Sequence, residues 1–186
     1  MGQPKLLLPW GDACIIQHVL RIWLASRVER VFVVVRPGDA TLQSLCHGEG
    51  AEVIIPDVAP PEMISSVQSA LRFVDQNYAP TAHDVWLLAP ADMPYLTTAC
   101  IDQLLDAYDP QTPSLLVPQY HGKRGHPILL PWRLAGDVLQ LESSENMRSL
   151  MTRRPLRTVE TQEAGILRDV DTPGDYRKPG RHHSRG

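Results

Sequence analysis

The stretch "LLAPADMPYLT" occupies residues 87–97 of a chain of 186 residues. It ends an apolar run, "DVWLLA" (84–89), in two prolines that flank an aspartate. A short apolar run bounded by turn formers predicts a strand covered on both faces. Pro90 and Pro94 stiffen the loop that follows. "TTACIDQLLDAY" then supplies a helix, with Thr97 or Thr98 placed to cap its start. Strand, stiff loop and helix in this order point to an α/β domain, in which ligands bind in the crevice beyond the carboxyl ends of the strands. Asp92 falls in that crevice. A carboxylate there suits a hard divalent cation, although a solvated turn aspartate or a helix cap fits the same local pattern.

Upstream the alternation continues. "CIIQHVLRIWLASR" (14–27) sets Ile15, Ile16, Val19, Leu20, Trp23 and Leu24 on one side of a 3.6-residue period, a helix. "VFVVV" (31–35) predicts a buried strand, a short helix follows over about 40–47, ending at Gly48 or Gly50, and "EVIIP" is a second strand. "SSVQSALRFVDQN" predicts a helix capped by Ser65 or Ser66. Downstream, "SLLVPQ", the polar turn "YHGKRG" and "HPILLP" predict a hairpin hung on the main sheet. Helical stretches are expected around 132–141 and 144–153, and strands near 156–160 and 166–169. The expectation is one domain over residues 1–176, a mostly parallel sheet with helices on both faces and a hairpin excursion. The basic segment "RKPGRHHSRG" (177–186) is expected to be a disordered tail.

An apolar fraction of 43%, a charged fraction of 21% and a formal net charge of −3 describe a globular chain. They offer no basic footprint for nucleic acid or an anionic membrane. No apolar run approaches the roughly 20 residues that span a bilayer, so a soluble, cytoplasmic protein is expected. Cys14, Cys46 and Cys100 are widely spaced in helix-like stretches and read as small buried hydrophobes. His18 and His47 lie in predicted helices with no ligand partner near them in sequence, which argues against zinc.

Three further stretches carry candidate chemistry. In "LRDVDTPGDY" (167–176), Asp169 and Asp171 would share a face of a strand; taken alone, the pattern is more often an edge strand with a polar outer face than a metal site. In "HGKRGHPILL" (121–130), Gly125 permits close backbone approach or a positive φ, and His126 could donate to a phosphate or polar substrate; a surface hairpin turn is the alternative. The chain opens "MGQPKLLLPWGD" (1–12), which is no secretory signal and, with Pro4 and Pro9 bracketing the leucines, no amphipathic helix. Lys5 on this loop is a point charge suited to a triphosphate, or an ordinary surface lysine.

In chain order, "MG-x-x-K-LLLP-x-G", "PPEMISSVQSAL", "PADMPYLT", "GHPILL" and "DVDTP" resemble the MobA-like NTP transferase family, and within it the molybdenum cofactor cytidylyltransferases. The resemblance covers residues 1–176. It implies a three-layer, Rossmann-like nucleotidyltransferase fold. It also implies Mg²⁺-dependent transfer of a nucleotidyl group, cytidylyl from CTP, to a phosphorylated acceptor such as molybdopterin, with release of pyrophosphate and with a molybdoenzyme as a further partner. By the same resemblance Lys5 contacts the nucleotide phosphates and Gly2, Ser65 and Ser66 lie beside the nucleotide. Asp92 holds Mg²⁺ with Asp171 as second ligand, and Gly125, His126 and Pro127 line the acceptor side. A sugar or other small-phosphate nucleotidyltransferase, or a non-catalytic relative serving oxidoreductase maturation, are the alternatives.

The chain departs from the family pattern in two places. The family runs an apolar strand into a Gly-rich "L-A-A-G-x-S-x-R" loop ahead of "M-G-x-x-K", and this sequence starts at that Met. The expectation is therefore a sheet without its first strand. The family's "G-D-x-G-A-R-x-L-L" is also replaced by "GDVLQLESSENMRSLM", with Asp137 and Arg148 as its remnants.

Overall fold

The computed structural model of the chain describes residues 4–142, 145–171 and 176. A 3₁₀ turn (Lys5–Leu7) leads into the short hairpin strands β1 (Pro9–Trp10) and β2 (Ala13–Cys14). Then come α1 (Ile15–Leu24), β3 (Phe32–Val34), α2 (Ala40–Glu49), β4 (Glu52–Ile54), α3 (Met63–Tyr78), β5 (Val85–Leu88) and α4 (Thr98–Ala107). They are followed by β6 (Leu115–Tyr120), β7 (Lys123–Arg124), β8 (Ile128–Pro131), a 3₁₀ turn (Trp132–Leu134), α5 (Ala135–Leu139) and α6 (Met147–Arg153). β9 (Leu156–Glu160) and a last 3₁₀ turn (Ala164–Leu167) complete the described elements.

Local signals account for most boundaries. Ile15, Ile16, Val19 and Leu20 form the buried stripe of α1. The Asp39 side chain accepts from Leu42 N to start α2, and Gly50 at φ 99° ends it in the left-handed conformation that glycine adopts freely. Thr97 caps α4 by accepting from Cys100 N at 3.2 Å. The serine cap expected for α3 is not made: the helix begins at Met63, with Glu62 at its start and no side-chain cap. Ser65 and Ser66 therefore sit inside the first turn. His121 and Gly122, both at positive φ, form the two-residue turn between β6 and β7.

The sheet is mixed, not mostly parallel. β3 and β4 form a parallel pair, while β5, β8, β6 and β7 lie side by side with antiparallel neighbours and β9 runs parallel to β6. The expected hairpin is no excursion, because β8 returns into the middle of the sheet between β5 and β6. Its four buried residues explain why: an all-apolar strand gains most where both faces and both edges are covered. The strand expected near 166–169 is instead the last 3₁₀ turn followed by extended chain.

Helices cover both faces in three layers. On one side Ile64, Val67 and Leu71 of α3 pack with Leu115, Val117, Ile128 and Leu130. On the other, Leu104 of α4 packs with Leu116 and Leu129. The two sheets are not joined by a strand ladder among the described residues. β3 is paired only to β4 and β5 only to β8, while α3 packs against both β3 and the β5 side. Leu6, from the first 3₁₀ turn, packs on the same buried cluster of Ile16, Leu20, Val35, Cys46 and Ala51 as Val33 of β3 and Ala91 just past β5, at the seam between the two sheets. Among the described residues no helix is long and apolar enough to cross a membrane.

Candidate active site

Asp92 lies on the loop just past β5, on a segment pinned by the buried neighbours Met93 and Leu96. Its backbone carbonyl accepts from Val170 N at 3.0 Å, which ties this loop to the segment that follows the last 3₁₀ turn. Lys5 approaches from the first 3₁₀ turn. Its Nζ donates to Asp92 Oδ2 and, at 2.8 Å, to Asp171 Oδ1. The structure thus brings together Lys5, Asp92 and Asp171, three candidates widely separated along the chain. Asp171 reaches this point from extended chain rather than from a strand end.

Burial works to lower the Lys5 pKa, but hydrogen bonds to Asp171 and Asp92, with their charges, outweigh it and raise the value. The ammonium is thus fixed in its charged form. Asp92 Oδ1 is buried with no hydrogen-bond partner among the described residues, an arrangement that costs free energy unless something binds there. Two carboxylates, one with a vacant buried oxygen, suit Mg²⁺, which is bound by one or two carboxylates plus waters and substrate phosphates. No group of three or more His, Cys, Asp or Glu that could hold a metal by itself occurs among the described residues.

The "GHP" segment lies close enough to Asp92 for that carboxylate's charge to act on His126. A Cβ on Gly125 would come within 2.3 Å of the Ile166 carbonyl oxygen, so glycine is required by close approach rather than by a positive φ. His126 N donates to that same carbonyl at 2.9 Å. Burial pushes the His126 pKa down, against the Leu88 carbonyl and the charges of Asp169 and Asp92, which favour the protonated ring. Its Nδ1 is buried without a described partner, and Pro127 is buried beside it.

Other expected residues stand apart. Ser65 and Ser66 make no hydrogen bond to Lys5, Asp92 or Asp171 among the described residues; the Ser65 carbonyl accepts from Ser69 Oγ at 2.9 Å. Gly2 lies outside the described residues. Asp137 pairs with Arg154 at 2.7 Å, and the Arg148 backbone N–H donates to Asn146 Oδ1 at 3.0 Å. Cys46 and Cys100 are buried, and burial raises both thiols to about 11, in keeping with small hydrophobes. Sequence reasoning missed the aromatic support around the aspartate loop. Tyr95 packs edge-on to Trp10, and Arg168 lies over its face. The available signals were Tyr95 itself, beside the "DMP" turn, and the buried Trp10 between Pro9 and Gly11.

The sequence model of the MobA-like NTP transferase domain matches residues 1–159. The chain belongs to the MobA-like NTP transferase family. It is therefore a member of a nucleotidyltransferase enzyme family that uses NTP. A relative, the molybdenum cofactor cytidylyltransferase of Escherichia coli K12, is 27% identical over 177 residues, which is 95% of this chain and 86% of that one. Among solved structures, Rv0371c of Mycobacterium tuberculosis H37Rv in complex with manganese superposes with a TM-score of 0.77 at 21% identity, covering 94% of this chain and 90% of that one. A 4-diphosphocytidyl-2C-methyl-D-erythritol synthase gives 0.73 at 16% identity, covering 92% and 91%. These likenesses show the α/β nucleotidyltransferase fold of this MobA-like chain.

Proposed function

We propose that the chain transfers a cytidylyl group from CTP to the phosphate of molybdopterin, releasing pyrophosphate. The observation that carries this reading is the meeting of Lys5, Asp92 and Asp171 at one point, where two carboxylates face a single ammonium and Asp92 Oδ1 is left unsatisfied. The choice of nucleotide and acceptor is supported by likeness to the Escherichia coli cytidylyltransferase.

Asp92 and Asp171 would hold Mg²⁺, which when bound supplies neutralisation of phosphate charge. An acceptor phosphate oxygen forms a bond to the α-phosphorus. The bond from that phosphorus to the β-bridging oxygen breaks, and pyrophosphate leaves with the electron pair. Little covalent work falls to the protein, so positioning and electrostatics dominate. In this reading the Lys5 ammonium turns from the carboxylates to the phosphates and offsets the charge that develops on them. Gly2, Ser65 and Ser66 flank the nucleotide. Gly125, His126 and Pro127 line the acceptor side, where a neutral His126 can donate a hydrogen bond without adding a charge.

The test is pyrophosphate release with CTP, GTP or ATP, each with molybdopterin or with a sugar phosphate as acceptor. CTP with molybdopterin is expected to give the fastest release. Turnover of a sugar phosphate with no turnover of molybdopterin would replace the acceptor assignment.

A further inference from the structure

Asp92 and Asp171 sit on two separate loops, and neither lies within a strand that would fix its place. The loops are nevertheless fastened to each other at successive points. At the first, a Cβ on Gly165 would stand 1.9 Å from the Tyr95 carbonyl oxygen, so the backbones touch there only because residue 165 is glycine. At the second, the Arg168 guanidinium carbon lies 3.4 Å from the centroid of the Tyr95 ring. At the third, Val170 N donates to the Asp92 carbonyl at 3.0 Å. The Tyr95 ring also meets Trp10, T-shaped at 5.0 Å and 87°. Trp10 is 3% exposed and packs with Ile15, Val19 and the fully buried Val170.

Tyr95 therefore touches the fixed hairpin behind it, the metal-side loop that carries it, and the segment leading to Asp171. Stacking of a guanidinium on an aromatic face is attractive and orients the planar group. Through it the chain between Arg168 and Asp171 takes its direction from the ring. We infer that Tyr95, in contact with both Trp10 and Arg168, is a positioning residue that sets the separation of the Asp92 and Asp171 carboxylates. Arg168 acts through Tyr95 in the same way. The inference rests on the reading of these two carboxylates as a divalent-cation site. Support of this kind typically governs how well a pair of ligands fits its ion.

The experiment measures Mn²⁺ affinity of the chain alone, by electron paramagnetic resonance, together with thermal unfolding. Tyr95→Leu and Arg168→Gln are each expected to weaken Mn²⁺ binding by about tenfold. Tyr95→Phe, which keeps the ring, is expected to bind as the parent does. Arg168 is exposed, so Arg168→Gln keeps the test valid if Tyr95→Leu fails to fold. Parent-like Mn²⁺ affinity in a folded Tyr95→Leu or Arg168→Gln chain overturns the positioning role. Asp92→Ala separates the two levels. If it abolishes Mn²⁺ binding while Tyr95→Leu and Arg168→Gln do not weaken it, positioning alone fails; if Asp92→Ala binds Mn²⁺ normally, the two-carboxylate site fails and the positioning role with it.

Discussion

Leu115–Val117 and Ile128–Pro131 in the interior of the larger sheet, and Phe32–Val34 and Val85–Leu88 at strand edges, are similarly apolar in sequence, yet they end in different surroundings. The first two segments, in β6 and β8, are buried, with Leu115, Leu116, Leu129 and Leu130 at 0% exposure. Every residue of β3 and β5 is only half-buried. Helices cover both regions, so the difference lies in the edges. β6 and β8 have strand partners on both sides, whereas β3 and β5 each have one among the described residues. Apolar content decides which segments seek the interior. Pairing at both edges decides how completely they reach it, because an open edge leaves main-chain groups that need water. The candidate active site lies just past the end of β5, where the first 3₁₀ turn carries Lys5 to the two aspartates.

Substitutions can break this comparison. Leu129→Ala, at a fully enclosed position, is expected to cost about 3 kcal/mol of stability by denaturant unfolding. Val33→Ala, at the seam, is expected to cost about 1 kcal/mol. Equal losses would show that the two regions are packed alike. Amide exchange sharpens the point residue by residue: amides of β6 and β8 should exchange only through global unfolding, those of β3 and β5 sooner.

The smallest expected effect is on pH dependence. Burial lowers the pKa of His18, against the Pro94 carbonyl, as it does that of His126. The unfolded chain then binds protons that the folded chain refuses. Stability is full above the ordinary histidine value of 6.5 and declines as pH falls through that value toward the lowered folded ones. Calorimetry at pH 7.5 and 5.5 should show a lower unfolding temperature at the acid end, and His18→Gln should reduce the difference. Lys5 has the opposite sign. Its raised value keeps the ammonium charged below 10.5, so that its contribution to stability is lost only as pH rises beyond that.

Much of the fold was legible because apolar runs and caps are local signals. The α1 stripe, the Gly50 terminus and the Thr97 cap follow from a few neighbouring residues. The place of β8 was not legible, since its position between β5 and β6 depends on long-range edge pairing that no window of sequence contains. Nor was the start of α3, where Met63 rather than a serine opens the helix. In the site, the strand and prolines around Asp92 marked its place beyond a strand end but fitted a turn aspartate or helix cap as well. Lys5 and Asp171 became readable only through the order of motifs along the whole chain, because singly each has an ordinary surface explanation. Tyr95 and Arg168 were hidden because their contact joins segments distant in sequence.

The most direct test is pyrophosphate release from CTP and molybdopterin in the presence of Mg²⁺, comparing the chain with Asp92→Ala after both are shown to unfold at the same temperature. Metal-dependent release by the parent and its loss by at least about a hundredfold in Asp92→Ala is the result expected if Lys5, Asp92 and Asp171 form the catalytic centre. Near-normal release by a folded Asp92→Ala chain would contradict it.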